Sequence, residues 1–392
     1  MVTFLCKCTL IFNIHSYIKN MKGIHIQRIE SVIVDLPTIR PHHLSMAVMR
    51  NQAMVIVRLF CSDGIEGIGE ATTIGGLSYG DESPEGMKLT LDTYIAPLLQ
   101  GKSALSINAL MALLESHIKG NNFVKSAIET ALLDAQGKRL GVSVATLLGG
   151  ALTHTLPVLW TLASGDTQKD IEEAHALLKE GRHNTFKLKI GRHEWKTDVR
   201  HVSAIKRAVG PDVKVTVDVN QAWTESVAKQ GIAMLQEDGI DLIEQPIIKT
   251  NFDGLARLTQ YFKVPIMADE AAGTVSDAFK LAKIGGGSVF ALKISKAGGL
   301  TNIQKQAAIA QAAGISLYGG TMLEGTVGTV ASAQVFSTLP LGWGTELFGP
   351  LLLTEDIVKN RLTYQNGVME IPQGPGLGIE LDMNQLEKFK RK

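Results

Sequence analysis

The sequence predicts an α/β fold, a modified (β/α)8 barrel with an α+β capping domain, and three observations carry that reading. Beyond Thr155, short apolar runs alternate with helically spaced segments, the pattern of parallel βαβ units. Three acids, Asp218, Glu244 and Asp269, each follow such a run at steps of about 25 residues, room for one strand, one loop and one returning helix. At 392 residues the chain exceeds one ordinary core, and its first third is patterned differently from the rest.

Residues 1–20 are apolar and aromatic, but Lys7 breaks the run and no small-residue cleavage site precedes Met21. They read as a disordered extension rather than a signal peptide, with Met21 as the expected start. From His25 to Thr38 and from Met54 to Thr73, β-branched residues alternate with polar ones around a Ser62-Asp63-Gly64 turn, which predicts antiparallel strands. Helical spacing runs from Pro84 to Leu148, clearest over Val124–Leu140, with Gly141 as its stop. These segments make the cap, 21–150.

Strands of the barrel, 151–360, are expected at Pro157–Ala163, Thr185–Ile190, Val213–Asn220, Leu242–Glu244, Ile266–Asp269, Val289–Ile294, Ser316–Tyr318 and Gly344–Phe348. The glycines at 285–287 read as a helix stop, since no Lys-Ser/Thr follows to cradle a phosphate. Strand and turn character returns after Leu362, so 361–392 is expected to pack back on the cap.

Formal charge is +1, from 39 basic and 38 acidic residues without long runs of one sign, which gives no sign of a nucleic-acid or membrane-surface footprint and suits a small-molecule partner better. No stretch is long enough to span a membrane. Three cysteines, Cys6, Cys8 and Cys61, make neither a disulfide framework nor a metal knuckle, so a reducing, cytoplasmic setting is expected.

Period-2 geometry puts Lys187 and Lys189 on one face of their strand, the barrel interior if Phe186, Leu188 and Ile190 pack outward. A KxK pair alone is ordinarily a solvated edge; beside the acids, burial and like charge are expected to depress a lysine pKa toward that of a general base. Asp218 shares its face with Asn220, and Glu244 closes a strand that Pro246 stops. Of Asp269 and Glu270 only one can face the same point, and Asp269 is expected to. Three converging carboxylates repel unless a cation sits among them, and an all-oxygen set suits Mg²⁺ or Mn²⁺. On the sixth expected strand Lys293 shares the inner face with Ala291 and Ser295, opposite Lys189 across the mouth, with Lys296 on the other side or beyond the strand. Glu324 and Glu346 end the seventh and eighth; each alone reads as a loop carboxylate, and position at the active face of a barrel raises both. All ten histidines lie at or before His201, which argues against a histidine-based hydrolase, and His42-His43 reads as loop surface.

With a lysine pair, Asp, Glu, Asp, lysine and Glu on successive strand ends, the chain resembles the enolase superfamily, and within it the muconate lactonizing subgroup, from Met21 onward. The stretches Asp35–His42, Glu70–Gly86, Tyr318–Thr329 and Gly344–Val358 carry the closer likeness. The resemblance implies a reversible conversion of cis,cis-muconate and muconolactone through an enolate, in the breakdown of aromatics via catechol, usually with Mn²⁺. It implies metal ligation by Asp218, Glu244 and Asp269, acid/base action by Lys189 tuned by Lys187, a catalytic part for Glu346 as the acidic partner and proton donor working with Lys293, and for Lys293 the offsetting of charge on the carboxylate and intermediate. Lids are expected at Thr38–Leu44 and Thr73–Pro84, with Ile74, Tyr79 and Phe348 as an apolar wall around the dicarboxylate substrate and Arg40 as an attractor of the dianion. A homo-oligomer is expected by analogy, octamers being common in the family. Chloromuconate cycloisomerase, o-succinylbenzoate synthase and dipeptide epimerase are alternatives with the same two-lysine site, and a noncatalytic barrel binding protein is the alternative of another class.

Overall fold

The computed structural model describes residues 23–43 and 48–392. The expected extension at 1–20, residue 44 of the first lid, and the side chains of His42 and His43 lie outside what is described.

Alternation in the front segment yields three antiparallel strands, β1 (Ile26–His43), β2 (Val48–Cys61) and β3 (Glu66–Thr72), with the Ser62-Asp63-Gly64 turn between β2 and β3. One face of this sheet packs on the helix Asn122–Leu140, almost wholly buried and closed by Gly141 in the left-handed conformation. Sheet and helix approach so closely that a Cβ on Gly69 would stand 2.0 Å from the Ala127 carbonyl oxygen, so only glycine fits there.

The next strands are β4 (Thr155–Pro157), β5 (Trp160–Leu162), β6 (Thr185–Lys189), β7 (Lys214–Asp218), β8 (Leu242–Glu244), β9 (Ile266–Ala268), β10 (Val289–Leu292) and β11 (Ser316–Gly319). Strands β5 to β11 form one seven-stranded parallel sheet in sequence order. Gly344–Phe348, expected as the eighth strand, forms none. Instead Thr345 alone bridges both edges of the sheet, pairing with Val158 on one side and Gly319 on the other. Thr345 N–H donates to the Pro157 carbonyl at 2.9 Å, Leu159 N–H donates to the Thr345 carbonyl at 3.0 Å, and Glu346 N–H donates to the Gly319 carbonyl at 2.8 Å. The ring closes through one residue because Gly344, at φ 70°, turns the chain in and Phe348–Gly349 turns it away into a short 3₁₀ segment. Gly285 is a left-handed helix stop after Val275–Ile284, as expected.

The expected strand Pro157–Ala163 divides. Its first part, β4, pairs with β13 (Val368–Glu370), which pairs with β12 (Tyr364–Gln365). The tail then reaches the cap: Leu386 packs with Val34, Leu36, Met54 and Ile56, and Arg391 pairs with Asp35 at 2.6 Å. Among the described residues no helix is long and apolar enough to cross a membrane.

Candidate active site

Strand β6 buries Phe186 and Leu188 in the core and turns both lysines the other way. Lys187, wholly buried, holds its Nζ 2.6 Å from Glu244 Oε2 and 2.8 Å from Glu346 Oε2, and 4.8 Å from the centre of the Tyr318 ring. Lys189 donates to Asp218 Oδ2 at 2.6 Å and to Asn220 Oδ1 at 3.4 Å. Parallel register sets Lys189 beside Asp218 and Asp218 beside Glu244, so the acids form a row along adjacent strand ends. Asp269 follows at the end of β9, where its Oδ2 accepts from Lys293 Nζ at 2.6 Å and from the Tyr79 hydroxyl at 2.8 Å. Lys189 and Lys293 thus stand at the two ends of the row. Glu270 accepts from Asn220 Nδ2 at 3.3 Å.

Four expectations need correction. Lys296 belongs to the cluster: its Nζ donates to the Asp269 carbonyl at 2.5 Å and also to Asp269 Oδ1. It lies beyond the strand, one of the two places expected, but β10 stops at Leu292 and Ile294–Ala297 is helical, so a three-residue step returns Lys296 to the side of Lys293. Tyr79 is not merely apolar wall, because Lys293 Nζ donates to its hydroxyl at 2.8 Å, making it a bridge to Asp269. Arg40 is engaged in a two-pronged pair with Glu173, at 2.9 and 3.1 Å, so its guanidinium is spent on holding the cap to a barrel helix rather than on a dianion. Finally, the lysine pair is not depressed: burial works to lower Lys187 and Lys189, but Glu244 and Glu346 around the first and Asp218 beside the second carry both above the ordinary lysine range.

Ile74 and Phe348 are buried in the main core, with the Phe348 ring 5.4 Å from that of Trp160; of the three expected wall residues, Tyr79 is the one bonded to the charged row. Glu324 accepts from Thr321 Oγ1 and from Met322 N–H, a local turn role. A cleft of about 410 Å³ reaches Lys189 between Ser164, Arg192, His193 and His201. A second, of about 500 Å³, opens against Tyr79, Glu270 and Lys296, with Lys119 and Lys249 on its walls.

The charge balance of the row bears on a metal. Among the described residues no three carboxylate, imidazole or thiol groups form a ready coordination set, since each acid of the row is turned onto a lysine. The donors nonetheless fit a hard cation. All are buried carboxylates, and burial together with Asp218 pushes Glu244 well above the carboxylate range despite Lys187. Burial and Asp269 raise Glu270 to about 7, and its Oε2 lacks a hydrogen-bond partner. Glu244 and Glu270 are thus crowded against like charge, which a divalent ion held by oxygen ligands would relieve.

Two sequence profiles match the chain: the mandelate racemase / muconate lactonizing enzyme N-terminal domain over residues 28–149 and the enolase C-terminal domain-like profile over residues 169–385. The chain belongs to the mandelate racemase/muconate lactonizing enzyme family. Within that family it is 56% identical to muconate cycloisomerase 1 of Pseudomonas putida, over 95% of this chain and 100% of the relative. Identity to a chloromuconate cycloisomerase of Cupriavidus necator is lower, 42% over 93% of this chain and 99% of the relative. The crystal structure of muconate lactonizing enzyme from Pseudomonas fluorescens, complexed with muconolactone, superposes with a TM-score of 0.93 at 57% identity, covering 94% of this chain and 100% of that one. Enzymes of this superfamily use a divalent metal ion.

Proposed function

We propose that the protein is a cycloisomerase interconverting cis,cis-muconate and muconolactone, with a divalent ion, Mn²⁺ or Mg²⁺, held by Asp218, Glu244 and Asp269. The single observation that carries the reading is the row itself: acids on adjacent strand ends, each within 2.6 Å of a lysine ammonium, beneath a family-wide likeness to lactonizing enzymes.

In the lactonizing direction an oxygen of one substrate carboxylate adds to the far alkene carbon, one C–O bond forms, and the electron pair moves to the α-carbon and carboxylate of the other end as an enolate. Lys189 then gives its proton to that α-carbon, a C–H bond forms, and the neutral amine recovers a proton from solvent through the cleft beside it. In reverse, the same amine removes the α-proton. Lys187, sealed between Glu244 and Glu346, fixes the charge around Lys189, and Glu346 acts through that pair. Lys293, steadied by Tyr79, sets positive charge at the opposite end of the row, offsetting charge on the substrate. A bound divalent ion would add positive charge beside the substrate carboxylate. Holding a flexible dianion in one attack geometry supplies a further, entropic advantage.

Unsubstituted muconate is favoured over its chlorinated analogues because identity to the chloromuconate enzymes is lower. Direct assay tests this: turnover of cis,cis-muconate is expected, whereas turnover of chloromuconates alone would overturn it. The same reading takes the protein as a cytoplasmic homo-oligomer. Sedimentation of the purified protein as a monomer would reject the assembly.

A further inference from the structure

Between Glu244 and Asp269, two of the proposed ligands, stands an uncharged side chain, that of Gln245. It is wholly buried and takes φ 34°, a left-handed conformation unusual for a residue with a side chain. Its backbone still belongs to the sheet, since its N–H donates to the Met267 carbonyl at 2.9 Å and its carbonyl accepts from Gln221 N–H at 2.8 Å. Its side chain crosses to the next strand. Oε1 accepts from the backbone N–H groups of both Asp269 and Ala271, each at 3.0 Å, and Nε2 donates to the Ile247 carbonyl at 2.9 Å. Only one orientation of the amide satisfies all three bonds, because two partners are donors and the third is an acceptor.

This arrangement answers a local problem. Strand β8 ends at Glu244 and β9 at Ala268, so the N–H groups beyond Ala268 have run out of ladder. Asp269 leaves the strand at φ −104°, ψ −82°, and opens the short turn Glu270–Ala272. A buried N–H must find an acceptor. Gln245 supplies one carbonyl to two such groups. Because the residue that does so directly follows Glu244 in the chain, the backbone positions of Glu244 and Asp269 are tied through a single side chain.

We propose that Gln245 is a positioning residue of the metal centre, setting where Asp269 stands relative to Glu244 and so the affinity of the row for a divalent ion. The inference rests on the metal reading given above. Groups that orient a metal ligand without touching the ion commonly change its affinity by about 10- to 100-fold when removed.

The test is titration of the metal-free protein with Mn²⁺, followed by the electron paramagnetic resonance of the free ion, in the wild type, Gln245→Met, Gln245→Glu and Asp218→Asn. Gln245→Met removes the shared acceptor, and its Mn²⁺ dissociation constant should rise about 10- to 100-fold. Gln245→Glu keeps an accepting oxygen at the same reach and should bind within about threefold of the wild type. Wild-type affinity in Gln245→Met overturns the proposal. Should that variant fail to fold, Gln245→Glu decides, because a loss of about tenfold or more there overturns it equally, while retention supports it. A wild type whose Mn²⁺ binding is absent, or indifferent to Asp218→Asn, would instead bring down the metal reading itself.

Discussion

Lys187 and Lys189 are two positions apart and have unlike surroundings. The first is sealed between two glutamates, whereas the second keeps 11% of its side chain exposed at a cleft and touches one aspartate. That difference is why the proposed proton transfer is placed on Lys189 rather than on Lys187. Replacing it with methionine should lower kcat/KM by about 10³-fold, within the usual range for a general acid or base, and should abolish deuterium exchange at the α-carbon of muconolactone in D₂O. Exchange at the wild-type rate in that variant would remove Lys189 from the role. Tyr79→Phe deletes one hydroxyl shared by Lys293 and Asp269, and a drop of about tenfold in kcat/KM is expected, measured by the same lactone assay. Single side chains are legible in the sequence where periodicity is constant. Alternation placed Lys187, Lys189, Asp218 and Asn220 on the correct face, but Lys296 was missed because the period changes from two to three just after Lys293. Gln245 gave no signal at all, since a neutral side chain bonded to backbone leaves no charge pattern.

At the scale of elements, strand positions followed from short apolar runs, and most bounds lie within a residue or two of expectation. The exceptions are instructive. Pro157–Ala163 divides because β4 finds a partner in the returning tail, a long-range pairing invisible in local pattern, and the eighth strand shrinks to Thr345 because Gly344 and the turn at Phe348 crowd it. The cap docks through a comparable device. Glu70 on β3 accepts from the N–H groups of Gly325 and Gly328, at 2.7 and 2.8 Å, at the start of the barrel helix Thr326–Phe336. Burial, with nearby Glu324, pushes Glu70 up to about 7 from an ordinary 4.5, against the bonds from Thr72 and the glycines. A folded-state value above the unfolded one means the native state holds the extra proton. Its stabilising contribution is therefore complete below pH of about 4.5 and lost as pH rises through about 7. Urea unfolding across that window should show wild-type stability falling by up to a few kcal/mol more than that of Glu70→Gln. Parallel profiles for the two proteins would show that Glu70 does not titrate there.

For the whole molecule, cap and barrel are joined close to the charged row. Tyr79 reaches Asp269 from the cap, Asn122 Nδ2 donates to the Lys296 carbonyl at 2.9 Å, and the Arg40–Glu173 pair ties β1 to a barrel helix. A site built in this way would exclude water only while both parts stay together. The whole assembly of acids and lysines is expected to work around one divalent ion. The most direct test follows the loss of cis,cis-muconate absorbance with purified protein and Mn²⁺, then after chelation, then after Mn²⁺ is restored. Turnover that disappears on chelation and returns with the metal, with the fold intact throughout by circular dichroism, is the predicted result; turnover unchanged by the chelator would contradict it.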